Sequence, residues 1–428
     1  MAENREKQGR ISFSELGRRA TDPEIVRLMN LALGNPDLLS MAAGFTDNAV
    51  MPVNIVRDIV SELADSTQDA EYLQYGTNAG RPGLRREVAR LIAAYPGERE
   101  DAADPDQILI SNGSQQSLYL AVQVLCDPGD VVLVEQPSYF VFFEALKGCG
   151  VQPVSIPSHP DGRIDFSGLR ELIGGLIRTP EPCRVKAVYI VSYFSNPSSR
   201  CIPAEDKIAL GELLRSLPVT LPVIEDGAYR DLYYNEPYPA PSVLSTASFD
   251  GHPVMYAGTF TKPFATGMKV GFSCCRDERW CGKILNIKGQ QDFGTANFSQ
   301  AIIERLLSGE RYGRLLGGLR RHYARKMELL HETLINEGLP EIGWTWEKPE
   351  GGLLMWLKGP DGLDTGLESP FCQACVGAGV LYVPGELCFA AGEPRNYLRL
   401  AIGVLDEDRL REAAHRFAGC ARNAAGSP

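Results

Sequence analysis

Short apolar segments alternate with helix-like patterns through the middle of the chain. The apolar runs, which are typical of buried strands, cover residues 107–111, 131–135, 151–156, 185–191, 222–225, 254–258 and 270–274. Apolar residues at helical spacing lie between or after them, at 114–125, near 138–147, at about 203–217 and at 277–308. Strands that alternate with helices in this way form parallel sheets. The pattern predicts an α/β fold with a mainly parallel sheet and helices on both faces.

The pattern changes after residue 308, where a long helical stretch is followed by shorter elements. We predict a helix at 311–336, strands at 344–347, 353–357 and 397–402, a helix before the last strand and a terminal helix. This arrangement indicates a smaller α+β domain that closes over the first. We therefore expect a large domain at 61–310, a small C-terminal domain at 311–428, and an N-terminal arm at 1–60 that packs on the small domain because it is too short to fold alone.

Composition narrows the class of protein. The chain has 428 residues, 44% of them apolar and 23% charged, and its net charge of −11 argues against nucleic acid as a partner. No apolar run is long enough to span a bilayer, and the charged N-terminus lacks the apolar segment of a secretory signal. The 11 cysteines are scattered, without a second metal-ligand pair beside Cys372 and Cys375. We expect a cytoplasmic protein with reduced thiols, no membrane contact and no metal.

Candidate chemistry collects where strands end, which is where ligands bind in sheets of this kind. Lys262 lies in GTFTKPFATGMKVGF, while Asn196, Asp226 and Tyr229 follow other apolar runs. A lysine among hydroxyl residues, with a carboxylate, an amide and a phenol nearby, suits pyridoxal 5'-phosphate held as a Schiff base. Asp226 follows LPVIE and should be buried, so it needs a positive partner such as a protonated pyridine nitrogen. The alternative for Asp226 is a helix N-cap.

A phosphate site is expected at the same edge. Gly113, Ser114 and Gln115 follow a strand and open a helix, whose N–H groups and dipole favour an anion. Thr259 and Thr261 alternate and share a face, and Lys269 adds positive charge; each of these is also a common surface pattern.

Three further residues are candidates for the substrate side of the site. Tyr139 follows a strand and could lie flat on the pyridine ring, although aromatic residues there are more often core. Arg399 lies within the apolar run YLRLAI, where a clamp on a substrate carboxylate would explain it, as would an acidic partner. Arg18 could form part of a lid that meets a distal carboxylate, or could be an exposed residue at a helix start.

As a set, these segments resemble one enzyme family. The matching stretches are YGTNAGRPGLRREVARLI, SNGSQQSL, EQPSY, SYFSNP, IEDGAYRDL, GTFTK, PEGGLLMWL, GVLYVPGELCF and NYLRLAIG. From about Phe13 to Phe417 the chain is similar to the class I/II aminotransferases of PLP fold type I, in the branch of 2-aminoadipate and kynurenine aminotransferases. The resemblance implies a large domain around a seven-stranded, mostly parallel sheet, a small domain, and active sites at a homodimer interface.

The resemblance also implies a role for each matching residue. Lys262 would form the internal aldimine, Asp226 would pair with the pyridine nitrogen, and Tyr139 would stack on the ring. Asn196 and Tyr229 would contact the ring hydroxyl. Gly44 and Arg399, with Asn196, would receive the substrate α-carboxylate. The implied phosphate ligands are Ser114, Gln115, Thr259, Thr261 and Lys269, with Tyr75 from the other subunit.

The chain departs from the family pattern around its periphery. Lys269 stands where arginine is usual, Thr266 replaces proline, NPSSR replaces Asn-Pro-Thr-Gly, and AGFTDN replaces a Gly-x-Pro-Asp type segment. The resemblance therefore implies a carbanion at the substrate α-carbon. It does not decide whether the resulting quinonoid intermediate leads to transamination or to loss of a side-chain group. We favour an aminotransferase that uses an L-amino acid and a 2-oxo acid. The alternative is a PLP-dependent lyase or carbon–carbon bond-forming enzyme; a PLP-sensing regulator would require a basic winged-helix domain that the first 60 or so residues cannot supply.

Overall fold

A computed structural model of the protein describes residues 11–35, 37–65, 70–178 and 184–426. Residues 1–10 of the predicted arm, 66–69 and 179–183 of the predicted large domain, and 427–428 at the end of the predicted small domain lie outside the described residues. The α-helices are α1 (Glu15–Arg19), α2 (Glu24–Gly34), α3 (Val53–Asp65), α4 (Pro82–Ala93), α5 (Gly113–Leu125), α6 (Phe140–Cys149), α7 (Phe166–Ile177), α8 (Ala204–Arg215), α9 (Glu278–Gln291), α10 (Asn297–Leu307), α11 (Arg311–Asn336), α12 (Pro370–Gly377) and α13 (Glu407–Ala425). The strands are β1 (Leu39–Ser40), β2 (Ile108–Asn112), β3 (Val131–Val134), β4 (Gln152–Ser155), β5 (Val185–Val191), β6 (Val223–Asp226), β7 (Val254–Thr259), β8 (Val270–Cys275), β9 (Thr345–Trp346), β10 (Leu354–Lys358), β11 (Val380–Leu381), β12 (Val383–Pro384) and β13 (Tyr397–Ala401).

The seven runs predicted as strands form one seven-stranded sheet. Its strand order is β2-β8-β7-β6-β5-β3-β4. The pairs from β7 across to β4 are parallel, whereas β8 runs antiparallel to both β7 and β2. Strands β3, β6, β7 and β8 are buried along their whole length, as expected for strands covered on both faces. The predicted α/β fold with a mostly parallel sheet is confirmed.

A second, smaller sheet forms after residue 311. Strands β12, β13, β10 and β9 make a four-stranded antiparallel sheet, while α11 and α12 pack on α13, and α12 and α13 pack on β11. Strand β1 from the N-terminal part pairs in parallel with β11, where Leu39 lies opposite Val380. Antiparallel strands with helices to one side are an α+β arrangement.

The prediction of a single helix at 277–308 is wrong, because the chain forms two helices there, α9 and α10, with a break between them. At the break Phe293 and Gly294 have φ of +51° and +113°, values that no α-helix contains. The backbone of the break also lies against a neighbouring loop, since a Cβ on Gly294 would be 3.1 Å from the Thr77 carbonyl oxygen. The two helices diverge as a result, and α9 packs on α5 while α10 packs on α4.

No helix among the described residues is both long enough and apolar enough to cross a membrane.

A glycine fixes the distance between β8 and the start of α5. A Cβ added to Gly271 would be 2.4 Å from the Gly113 carbonyl carbon and 2.5 Å from the Ser114 nitrogen. We expect Gly271→Ala to push the two backbones apart and lower the free energy of unfolding by about 1–3 kcal/mol, as overpacking does. Urea-induced unfolding measures the change.

The matched control is Gly282→Ala in α9, where an added Cβ meets nothing within 4 Å. Alanine is the better helix former, so this variant should be as stable as the wild type or more stable by about 0.5–1 kcal/mol. Equal stability of the Gly271→Ala protein and the wild type would contradict the close approach.

Candidate active site

A cavity of about 250 Å³ opens at the carboxyl edge of the large sheet. It lies beyond the ends of β2, β5, β6 and β7, at the start of β8, and beside β13 of the small sheet. Thirteen residues predicted from the sequence line it: Gly44, Gly113, Ser114, Gln115, Tyr139, Asn196, Asp226, Tyr229, Thr259, Thr261, Lys262, Lys269 and Arg399.

Lys262 lies just after β7, on the connection to β8. Its Nζ donates a hydrogen bond to the Gly44 carbonyl oxygen at 2.6 Å and lies 5.9 Å from the centroid of the Tyr229 ring. Burial, followed by the positive charges of Arg399 and Lys269, lowers the pKa of Lys262 to about 8. A part of the amine is therefore neutral near physiological pH, which a nucleophile or a base requires.

Asp226 is the last residue of β6 and is only 3% exposed. Its Oδ1 accepts a hydrogen bond from the Ala228 nitrogen at 2.9 Å, and its Oδ2 accepts one from the Tyr189 hydroxyl at 3.1 Å. No cation among the described residues forms an ion pair with it, and burial raises its pKa to about 6. A buried carboxylate of this kind is stabilised by a positive group that enters the cavity.

The opposite end of the cavity suits an anion. Helix α5 begins at Gly113, which has φ of +67°, and no side chain caps its first turn. Thr259 and Thr261 hold each other there, with 2.9 Å between their hydroxyl oxygens. Lys269 borders the same space in a left-handed conformation, with φ of +54°. Free N–H groups at a helix start, two hydroxyls and an ammonium form a phosphate-binding arrangement.

Arg399 reaches the cavity from β13, and it is only 2% exposed. One guanidinium nitrogen donates to Asn196 Oδ1 at 2.8 Å and another donates to the Ala42 carbonyl oxygen at 2.5 Å. Its Nε has no partner among the described residues. Burial lowers the pKa of Arg399, and no carboxylate of the described residues is among the groups that act on it. The alternative explanation of Arg399 as one half of an ion pair is therefore wrong for the described chain.

Two predicted residues lie away from the cavity. Arg18 is exposed in α1, where it donates to the Phe13 carbonyl oxygen and does not line the cavity, so the structure does not bring it to the site as a lid. Helix α1 packs instead against α6. Tyr75 is 84% exposed and packs edge-to-face on Phe293, with 5.7 Å between the ring centroids.

Sequence reasoning missed several residues of the site, of which three illustrate why. Tyr189 donates the hydrogen bond that orients Asp226, and a tyrosine in the aliphatic run VKAVYIV was the available signal. Phe45 and Val141 line the cavity beside Gly44 and Tyr139. Nothing in their local patterns marks them, because they come to the site through the packing of an irregular segment and of α6.

The cavity satisfies the requirements of pyridoxal 5'-phosphate. It offers an amine with a lowered pKa, a buried carboxylate without a cation among the described residues, and a helix start that no side chain caps. The Asp226 carboxylate is the strongest indication of this cofactor. It is buried without a cation from the described residues, and a protonated ring nitrogen would form an ion pair with it.

Comparison with known proteins agrees with the geometry. A family model described as aminotransferase class I and II matches residues 28–417. The aromatic-amino-acid aminotransferase 1 of Thermococcus litoralis is 31% identical over 409 residues, which is 95% of this chain and 93% of that protein.

Solved structures extend the likeness to the fold. The kynurenine aminotransferase of Pyrococcus horikoshii is 30% identical with a TM-score of 0.86, and the alignment covers 97% of this chain and 98% of that one. The alpha-aminoadipate aminotransferase of Thermus thermophilus, solved with N-(5'-phosphopyridoxyl)-L-leucine, is 27% identical with a TM-score of 0.81, and coverage is 96% and 97%.

These matches confirm the predicted fold type I and the predicted family, whose members depend on pyridoxal 5'-phosphate. The Thermococcus litoralis and Pyrococcus horikoshii proteins have aminotransferase names, which does not favour the lyase alternative. The chain belongs to the aminotransferase class I and II family and is an enzyme of the transaminase type.

Proposed function

We propose that this enzyme uses pyridoxal 5'-phosphate to move an amino group from an L-amino acid to a 2-oxo acid. The observation that carries the proposal is the presence, in one cavity, of a buried lysine amine and a buried aspartate without a cation. When bound, the cofactor supplies an aldehyde that takes up the amino group and a ring that withdraws electrons from the substrate α-carbon.

Each residue around the ring has a separate task in this proposal. Lys262 Nζ binds the aldehyde, and Asp226 pairs with the ring nitrogen and keeps it protonated. Asn196 and Tyr229 donate hydrogen bonds to the ring hydroxyl, while Tyr139 covers one face of the ring. All five side chains border the same cavity, which supports this assignment.

The phosphate group would bind at the start of α5. The N–H groups that follow Gly113, at Ser114 and Gln115, and the hydroxyls of Thr259 and Thr261 are the proposed donors. Lys269 supplies charge without the planar fork of an arginine, so it holds the phosphate as a point charge.

On the substrate side, Arg399 would bind the α-carboxylate, with Asn196 and Gly44 beside it. Its unpartnered Nε and its burial support this role, because a buried guanidinium gains charge-assisted hydrogen bonds from an incoming carboxylate. A Lys262 amine that the substrate amine has released from the cofactor would be a free base. It would take a proton from the substrate α-carbon and deliver it to the cofactor carbon. A positioned base of this kind contributes about 10²–10⁴ in rate.

We also propose that the enzyme is a cytoplasmic homodimer. Each subunit would contribute Tyr75 to the phosphate site of its partner. Leu73, Tyr75 and Phe293 are 68%, 84% and 64% exposed, an apolar surface that a partner would cover. We keep the division into an arm at 1–60, a large domain at 61–310 and a small domain at 311–428 as part of the proposal; the pairing of β1 with β11 supports the position of the arm.

The reaction is tested by mixing the cofactor-loaded enzyme with a panel of amino acids, one at a time and without an acceptor. Transamination converts the cofactor to pyridoxamine phosphate and releases the matching 2-oxo acid, both of which mass spectrometry detects. Loss of a side-chain leaving group without pyridoxamine phosphate would contradict the proposal and favour the lyase alternative.

Replacing Lys262 removes both the covalent link and the base. We expect Lys262→Ala to fold normally and to lose about 10²–10⁴ or more in kcat/KM. Borohydride treatment should no longer attach the cofactor to the protein, as read by peptide mass spectrometry. Lys358→Ala, which replaces a partly exposed lysine in β10, is the matched control and should retain both properties.

Asp226 should stabilise the loaded enzyme and destabilise the cofactor-free one. Its folded pKa of about 6 lies above the ordinary value of 3.8, so the cofactor-free protein loses stability as pH rises from about 4 to about 6. We expect cofactor-free Asp226→Asn to be more stable than the wild type at pH 7, by up to about 3 kcal/mol, and to lose that advantage near pH 4. The same variant should bind the cofactor more weakly and lose turnover.

Urea unfolding of the cofactor-free proteins at the two pH values measures this effect. A wild-type protein that is as stable as Asp226→Asn at pH 7 would show that the aspartate is not a buried, unmatched charge.

The hydroxyl of Tyr75 is tested by Tyr75→Phe, which keeps the ring. Loss of one hydrogen bond to a charged phosphate, about 1.5–3 kcal/mol, should raise the Kd of the cofactor by about tenfold or more without dissociating the dimer. Fluorescence titration and analytical ultracentrifugation measure the two properties. Tyr72→Phe is the control, since Tyr72 packs on Phe298. A monomeric enzyme with full activity would contradict the shared site.

A further inference from the structure

One short segment contacts two of the cationic side chains of the active site through its backbone. The Ala42 carbonyl oxygen accepts a hydrogen bond from Arg399 at 2.5 Å, and the Gly44 carbonyl oxygen accepts one from Lys262 Nζ at 2.6 Å. Residues 42–47, which we call the bridging segment, therefore determine where two groups of the proposed reaction find their acceptors. The segment is not part of a helix or strand, so contacts from elsewhere must hold it.

The N-terminal end of the bridging segment is fixed by the small sheets. The Met41 nitrogen donates to the Leu381 carbonyl oxygen at 2.8 Å, and the Ala401 nitrogen donates to the Met41 carbonyl oxygen at 2.7 Å. Ala401 is the last residue of β13, which also carries Arg399. This end of the segment and Arg399 consequently belong to one hydrogen-bonded unit.

The other end is fixed by a buried charge. Asp47 is 5% exposed, and its Oδ2 accepts hydrogen bonds from Lys326 Nζ at 2.8 Å and from His322 Nε2 at 2.9 Å. The Asp47 nitrogen contacts the Tyr323 hydroxyl at 3.2 Å. Burial acts to raise the pKa of Asp47, but the hydrogen bonds from Lys326, the Ala49 nitrogen and His322 outweigh it and lower the pKa overall.

Lys326 has no exposed surface, and its Nζ also donates to the Gly403 carbonyl oxygen at 3.1 Å. At the same place the two backbones touch, since a Cβ on Gly403 would be only 1.7 Å from the Phe45 carbonyl oxygen. Lys326 thus links α11, the turn after β13 and the bridging segment. The backbone of the segment has no room to move toward Gly403.

We propose that Asp47, through its ion pair with Lys326, is a positioning residue that holds the Gly44 carbonyl against Lys262. Asp47 touches neither the reacting atoms nor the cofactor cavity, so it acts through the bridging segment. The inference rests on the proposed function for its consequence in catalysis. The part of the inference that concerns the position of the Lys262 amine beside Gly44 does not depend on the proposed function.

The first test uses cofactor-free protein and reads the amine of Lys262 directly. The rate at which acetic anhydride acylates Lys262 is followed against pH by peptide mass spectrometry, in the wild type and in Asp47→Asn. A carbonyl that accepts a hydrogen bond stabilises the charged amine. We therefore expect the apparent pKa of Lys262 to fall in the variant, as the Gly44 carbonyl moves away.

The second test uses the loaded enzyme. A small displacement of positioning groups costs up to about 10²-fold in rate, so kcat/KM of Asp47→Asn should fall by at least about tenfold. KM for the amino donor should change less than kcat, because the hydrogen bonds of Met41 to the small sheets keep Ala42 aligned with Arg399. A role in folding alone would lower stability without changing the amine profile or kcat.

Asp206→Asn is the matched control. Asp206 is also a buried aspartate paired with a cation, Arg163, but it lies outside the active-site cavity. We expect this variant to lose stability while the Lys262 profile and kcat/KM stay as in the wild type.

The inference is overturned if Asp47→Asn melts at a lower temperature yet keeps the wild-type Lys262 profile and kcat/KM. Should that variant not fold, Asp47→Asn combined with Lys326→Met leaves no unpaired buried charge and is judged by the same two measurements. If no amino donor reacts with the wild type but the Lys262 profile shifts in the variant, the proposed function fails and the positioning role stands.

Discussion

The burial of Asp226 without a cation from the described part of the chain is the constraint on which the site depends. The carboxylate ends a strand that is buried along its whole length, and the donors that reach it from the described residues are an amide N–H and the Tyr189 hydroxyl. Such a charge destabilises the cofactor-free protein at neutral pH, as its raised pKa indicates. In the proposed function, a cationic ring would offset that cost on binding. The feature that destabilises the cofactor-free protein would then be the feature that selects the cofactor.

The same principle operates in reverse at Lys262. Burial and the nearby positive charges of Arg399 and Lys269 lower the pKa of the amine, which favours its neutral form. The Gly44 carbonyl oxygen orients the amine. Because this acceptor is neutral, it raises the pKa of the amine less than a carboxylate would. The site therefore combines a carboxylate whose negative charge needs a partner with an amine whose positive charge is disfavoured.

The segment NPSSR, which departs from the family pattern, makes two contacts with the smaller sheet region. Ser199, in the segment NPSSR, adopts φ of +56° and its hydroxyl donates to the Leu354 carbonyl oxygen at 2.7 Å. Arg200 pairs with Glu347 through hydrogen bonds of 2.8 and 2.9 Å. Both contacts cross from the loop after β5 to the segment around β9 and β10. The loop that carries Asn196 is consequently tied to the smaller sheet.

The sequence by itself determined the sheet and most of the site. Each strand was visible as a local apolar run, and residues that follow parallel strands must meet at one edge, so Lys262, Asp226 and Asn196 were brought together without any knowledge of strand order. The tertiary structure alone decided the strand order, the break between α9 and α10, the exposed position of Arg18 away from the cavity, and the pairing of Asp47 with Lys326. These features depend on contacts between distant segments, since 279 residues separate Asp47 from Lys326, and no local pattern of apolar and polar positions records such a contact.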